Sequence, residues 1–110
     1  MIPFNFHHLY YFYVVAKERS FSKAARSLCI SQPALSAQIK QFENYWNFRL
    51  LDREGRKVSL TEEGVLVFNS AKAIFDFARE LADGMSKRKY RIGSKIQIGV
   101  SSAVPKVVAE

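Results

Sequence analysis

A single cysteine, Cys29, stands in 110 residues. One thiol excludes a disulfide within the chain and suits a reducing compartment. Long apolar runs are missing as well. The stretch Leu9 to Ala16 is too short to span a bilayer, and no Lys or Arg precedes it, as a secretory signal would need. A cytoplasmic location with no membrane partner is therefore expected. Internal repeats and low-complexity segments are absent, which sets aside repeat architectures. There is no nucleophile elbow and no glycine loop built to cradle phosphate. His7 and His8 are adjacent and project in different directions, without a Cys or His at ligand spacing. No enzyme, cofactor or metal site is expected from such a sequence.

What the chain does have is apolar bulk and positive charge. Hydrophobic residues make up 48% of it, with nine Phe, five Tyr and one Trp to fill a core. The length allows one compact domain and an appendage, not a second full domain. The net charge of +7 suits a polyanionic partner, although charge alone does not separate that from a merely basic soluble protein. Its distribution says more. Residues 1–60 carry +5, residues 61–83 carry −3 and residues 84–95 carry +5. The front block is the natural nucleic-acid surface.

Helical spacing recurs along that block. Leu9, Phe12, Val15 and Ala16 mark a first helix, capped by Asn5 and ending near Arg19. Ser20 can cap a short second helix with Phe21, Ala24, Ala25 and Leu28 on one face. The two alanines let another helix approach closely. After a turn at Leu28-Cys29-Ile30, Ser31 caps a third helix with Pro33 in its first turn. Its apolar stripe is Leu35, Ile39, Phe42 and Trp46, and Gln32, Ser36, Ala37 and Lys40 lie opposite. Two helices, a tight turn and a second helix with a polar front form the helix-turn-helix pattern. Such a helix fits the major groove and presents its first residues to base edges.

Arg49 to Leu60 reads as a β-hairpin turning at Arg53-Glu54-Gly55-Arg56, with Gly55 free to take positive φ. A basic hairpin after a helix-turn-helix is a wing, whose cations can lie along phosphates or in the minor groove. Thr61 then caps a long helix with Glu62 and Glu63 in its first turn. Val67, Ala71, Ile74, Ala78, Leu81 and Met85 step by four and three in alternation, a coiled-coil seam that asks for a partner, most simply a second copy. Lys87 to Arg91 reads either as a DNA contact or as a basic helix end before a hinge, and the hinge is favoured. From Gly93 the pattern changes. Ile96, Ile98 and Val100 alternate with strand period, and Pro105 can open a short helix. A lone strand needs a sheet. The expected organisation is thus a mostly α chain: a winged helix-turn-helix over 1–60, a linker and dimerisation helix over 61–89, and a hinge with the first strand of a truncated domain over 90–110.

These residues carry a resemblance. Phe21-Ser22-Lys23-Ala24-Ala25-Arg26-Ser27-Leu28 followed by Ser31-Gln32-Pro33-Ala34-Leu35-Ser36 resembles the helix-turn-helix of LysR-type transcription regulators. Arg53, Arg56 and Leu60-Thr61-Glu62-Glu63-Gly64 resemble the wing and linker helix of that family, and the likeness runs from about Leu9 to Ala82. Leu9-Tyr10-Tyr11-Phe12, Val15-Ala16-Lys17-Glu18 and Val104-Pro105-Lys106 look like the subgroup that activates sodium/proton antiporter genes. The family implies pairing through the long helix and binding to imperfect palindromes in promoter DNA. It also implies a C-terminal domain that senses a small molecule, present only in a full-length form. Ile96 to Glu110 resembles no more than the start of that domain, so a dimer rather than a tetramer is expected. A competing role is that of an interaction protein whose long helix pairs with a full-length homologue and blocks its assembly. Two residues depart from the family pattern. Ala37 stands where Arg or Lys is frequent, and Leu51 where Phe is usual.

The expected DNA-contacting residues are Ser22, Ser31, Gln32, Pro33, Ser36, Lys40, Arg53, Arg56 and Lys57. The Gln32 amide can pair two ways with adenine. Ser36 and Lys40 follow it one and two turns on. Ser31 is explained by capping alone, which is compatible with a phosphate contact. Ser22 is similar, and Pro33 suits a thymine methyl. Arg53, Arg56 and Lys57 are the wing cations. Cys29 reads as a small hydrophobe in the turn in preference to a redox switch.

Overall fold

The computed structural model describes the backbone of residues 3–95 and the side chains of residues 3–89. In chain order the elements are α1 (Phe6–Glu18), α2 (Phe21–Leu28), α3 (Gln32–Trp46), β1 (Leu51–Glu54), β2 (Lys57–Leu60) and α4 (Glu62–Lys95). The chain divides into two compact units, with the boundary between Lys72 and Ala73, inside α4.

Each helix begins where a side chain can satisfy an amide that has no intrahelical partner. Asn5 Oδ1 accepts from the His7 and His8 amides at 2.8 and 3.3 Å. Ser20 Oγ accepts from the Lys23 amide at 3.1 Å, and Ser31 Oγ from the Ala34 amide at 3.2 Å. At α4 the Thr61 hydroxyl accepts from the Gly64 amide at 3.0 Å and donates to the Arg49 carbonyl at 2.6 Å. Helices α1, α2 and α3 all stop on a left-handed residue, Arg19, Cys29 and Asn47, with φ of 57°, 59° and 63°. Cys29 is therefore a cap, and its side chain is exposed rather than packed in the turn.

The core of the first unit gathers the stripes that helical spacing marks out. Leu9, Phe12 and Val15 of α1, Ala24 and Ala25 of α2, and Leu35, Ile39 and Phe42 of α3 are buried. Phe42 is the hub of the aromatic packing, with ring centroids 5.8 Å from Phe12 and 6.0 Å from Trp46. Tyr13 stacks on Phe68 at 5.3 Å and ties α1 to the first turns of α4.

The hairpin pairs Leu51 with Leu60, Asp52 with Ser59, Arg53 with Val58 and Glu54 with Lys57. Gly55 takes φ +63° and turns the chain together with Arg56. Arg53 and Glu54, expected in the turn, are instead paired strand residues, because a two-residue turn suffices. Its base is fastened by Glu43, whose Oε2 accepts from the amides of Leu50 and Leu51 at 2.7 and 3.1 Å. Leu51 is buried, so the residue at this family position packs into the core.

Helix α4 runs on to Lys95, six residues beyond the end expected at Lys89. Gly93 does not stop it, since one interior glycine costs only about 1 kcal/mol relative to alanine. The expected strand at Ile96 to Val100 and the short helix at Pro105 lie outside the described residues. No helix among the described residues is long and apolar enough to cross a membrane.

Candidate nucleic-acid interface

Helix α3 turns the apolar residues Leu35, Ile39 and Phe42 inward. Gln32, Pro33 and Lys40 are exposed, and Ser36 is half-buried. Residues 32, 36 and 40 are spaced by one turn each, so their side chains form a row along one face. Ala37, beside that row, is exposed and carries no polar group.

The wing stands beside this row. Strand alternation explains which of its cations point where. In the observed register Arg53 shares a face with Leu51, Val58 and Leu60, of which Leu51 and Val58 are buried. Arg53 is thus carried over the body of the domain, although its side chain stays exposed. Its guanidinium carbon lies 3.8 Å from the centroid of the Phe21 ring, and Nη2 donates to Ser36 Oγ at 3.0 Å. Arg56 sits in the turn and Lys57 on the opposite face from Arg53; both are exposed.

Two concave surfaces result. Ser22, Gln32, Arg53 and Arg56 line one, together with Ser20, Phe21, Gly55 and Val58. Ser36, Lys40 and Arg53 line the other, where Arg49 and Asn44 join them. Arg53 and Phe21 belong to both and link them. Of the expected residues, Ser31, Pro33 and Lys57 line neither surface. Ser31 Oγ accepts from the Ala34 amide in its cap, which leaves its O–H free to donate, and Ser22 lies 3.2 Å from Ser20 Oγ, oxygen to oxygen. The signal for Phe21 as a platform for Arg53 was not available from helical spacing, which reads Phe21 only as a core position. Arg49 was missed because it falls at the edge of the hairpin; it donates to the Leu51 carbonyl at 3.0 Å.

His7 and His8 do not meet a ligand set. His8 packs edge-on against Phe42 at 6.3 Å and His7 lies 6.2 Å from Tyr11.

The residues expected to pair two copies are unevenly placed on α4. Ala71 has no exposed surface at all. It is packed into the core of its own domain. Val67, Ile74 and Met85 are half-buried, and Ala78 and Leu81 are exposed. The large apolar side chains exposed among the described residues of α4 are Val65 at 45%, Leu66 at 70%, Phe77 at 70% and Leu81 at 67%. Leu66 and Phe77 were missed because a heptad count does not say which of two apolar faces the same chain covers.

A helix-turn-helix followed by a two-stranded wing and a long helix defines a winged helix-turn-helix DNA-binding protein. The chain belongs to the LysR family of bacterial regulatory helix-turn-helix proteins, whose family profile matches residues 6–65. A probable RuBisCO transcriptional regulator of Thalassiosira pseudonana is 35% identical over 104 residues, covering 94% of this chain and 34% of that protein. The HTH-type transcriptional regulator BenM of Acinetobacter baylyi is 39% identical over 92 residues, covering 84% of this chain and 30% of that protein. The chain thus spans about a third of the length of these relatives. The BenM DNA-binding domain in complex with benA site 1 DNA is similar in structure, with a TM-score of 0.69 at 39% identity over 77% of this chain and 98% of that one. The oxidized form of OxyR from Corynebacterium glutamicum gives 0.67 at 31% identity, over 76% of this chain and 27% of that one. These relatives do not support the expected likeness to antiporter-gene activators.

Proposed function

We propose that the chain reads a promoter site in double-stranded DNA as a homodimer, with α3 in the major groove and the wing along the adjacent backbone. The observation that carries this is the row Gln32, Ser36 and Lys40 on the outer face of α3, flanked on one side by the wing arginines. Gln32 and Ser36 meet base edges, and Pro33 meets a thymine methyl. Lys40, Arg56 and Lys57 neutralise phosphates, and Ser22 and Ser31 add backbone contacts that fix the register. The likeness to a BenM domain solved on DNA supports the same mode of docking.

Pairing runs through α4. Two copies related by a twofold axis would present their recognition helices about one helical turn (~34 Å) apart, to the halves of an imperfect palindrome. Leu66, Phe77 and Leu81, with Ile74, Ala78 and Met85, supply the apolar face for it. Effector sensing, implied by the family, belongs to sequence that follows the helix in a full-length form, and the cytoplasm is its setting.

The test is Gln32→Ala, measured on a preferred duplex and on shuffled DNA of the same length. Base readout predicts a loss of about 1–3 kcal/mol on the preferred duplex and almost none on the shuffled one. Equal losses on both would remove Gln32 from the reading.

A further inference from the structure

Arg53 is bonded to another member of the interface before any DNA arrives, and the direction of that bond has a consequence. A guanidinium has five N–H donors and no acceptor. In the contact at 3.0 Å Arg53 must therefore donate, and Ser36 Oγ must accept. The stack on Phe21 at 3.8 Å holds the guanidinium plane where it is, so the bond does not depend on a freely rotating side chain. Among the described residues the Ser36 hydroxyl makes no other hydrogen bond. Its proton is unspent, and the nearby positive charge polarises the O–H and makes it a better donor.

Resting on the reading above, we propose that Arg53 acts as a specificity-determining positioning residue, which fixes the Ser36 hydroxyl as a donor toward the DNA. A free serine hydroxyl both donates and accepts, and so is tolerant of what it meets. A hydroxyl already accepting from Arg53 favours an acceptor on the base edge: N7 or O6 of guanine, N7 of adenine, O4 of thymine. It disfavours cytosine, whose major-groove edge offers the N4 amino donor. The guanidinium behind the oxygen adds repulsion toward that donor. Arg53 would then shape the base preference without reaching a base, while Arg56 and Lys57 in the turn and on the outer face remain the phosphate cations.

The test uses a pool of duplexes randomised over about 20 base pairs, the span of two half-sites. Bound duplexes are sequenced for the whole chain and for Arg53→Met, Arg53→Lys and Ser36→Ala. Methionine keeps an apolar stem over Phe21 and removes the donor. Arg53→Met is expected to relax one base position in each half-site, with discrimination against cytosine falling roughly five- to tenfold. Ser36→Ala should relax the same position, and the double variant no further. Arg53→Lys, which keeps a donor, should restore part of the preference.

A phosphate role gives a different pattern: weaker binding to every sequence, a lower salt slope and an unchanged base profile. That result, or a lower melting temperature with an unchanged profile, would overturn the role of Arg53. A wild-type profile with no preferred bases would instead overturn the reading of the chain as a sequence-specific binder, so the two failures are told apart.

Discussion

Gly64 sits in the first turn of α4, directly against the Leu50 carbonyl. A methyl there would overlap that oxygen and crowd the Leu60 side chain at 3.1 Å. The same carbonyl accepts from the Thr61 amide at 3.0 Å, so it cannot swing away freely. Gly64→Ala is expected to cost about 1–3 kcal/mol, the range for overpacking a tight contact, read by denaturant unfolding. Gly84 lies in the same helix with open space around its Cα. Gly84→Ala should therefore act in the opposite direction, favouring the helix by about 0.8–1 kcal/mol, seen as increased helicity in circular dichroism. Glu43 gives a third test at this scale. Glu43→Ala strands two backbone donors at the base of the wing, beside the buried Leu50. A loss of about 1–3 kcal/mol is expected. Glu43→Gln, which keeps one oxygen for the same bonds, should lose less than half of that. A Gln variant as unstable as the Ala variant would mean that charge, not bonding, holds the wing.

Elements were legible where the determining interaction is local. Asn5, Ser20, Ser31 and Thr61 each cap the helix that follows by a bond to an amide two or three residues on. Such bonds depend on neighbours in sequence, so spacing reveals them. The C-terminal caps were not legible in the same way, since none of the three left-handed residues is a glycine. A non-glycine residue there carries a steric cost. Cys29→Gly should accordingly stabilise the fold by about 0.5–1 kcal/mol in thermal unfolding; no gain would mean that the left-handed cap at α2 is relaxed in solution. Long-range partners were also hidden. Arg53 meets Phe21 and Ser36 only because the register puts it on the inward face of β1. The alternation of Leu51 and Arg53 against Val58 and Leu60 held that information, but it becomes readable only once the two-residue turn is known.

At the scale of the molecule, periodicity showed that α4 has apolar residues to cover and not whose surface covers them. Ala71 is taken into the domain of its own chain, whereas Leu66, Phe77 and Leu81 are left outside. Burying a residue of this kind contributes about 1.5–3 kcal/mol. Phe77→Lys with Leu81→Lys should therefore convert a dimer to a monomer in sedimentation and lower DNA affinity through lost bivalency. The same double change with unaltered mass would move the interface elsewhere. Charge is the other property of the whole chain. The +5 of residues 1–60 lies on the part that carries the recognition row and the wing, so binding has an electrostatic component that every sequence shares and a specific component that only the right sequence evokes. The most direct measurement separates the two: affinity for a duplex from the promoter beside the protein's own gene, and for its shuffled counterpart, across a salt series. Both should weaken linearly in log affinity against log salt, by about 0.9 for each phosphate neutralised. The account predicts that the promoter duplex binds roughly a thousandfold or more tightly than the shuffled one at physiological salt. Equal affinity and equal slope for the two would contradict it.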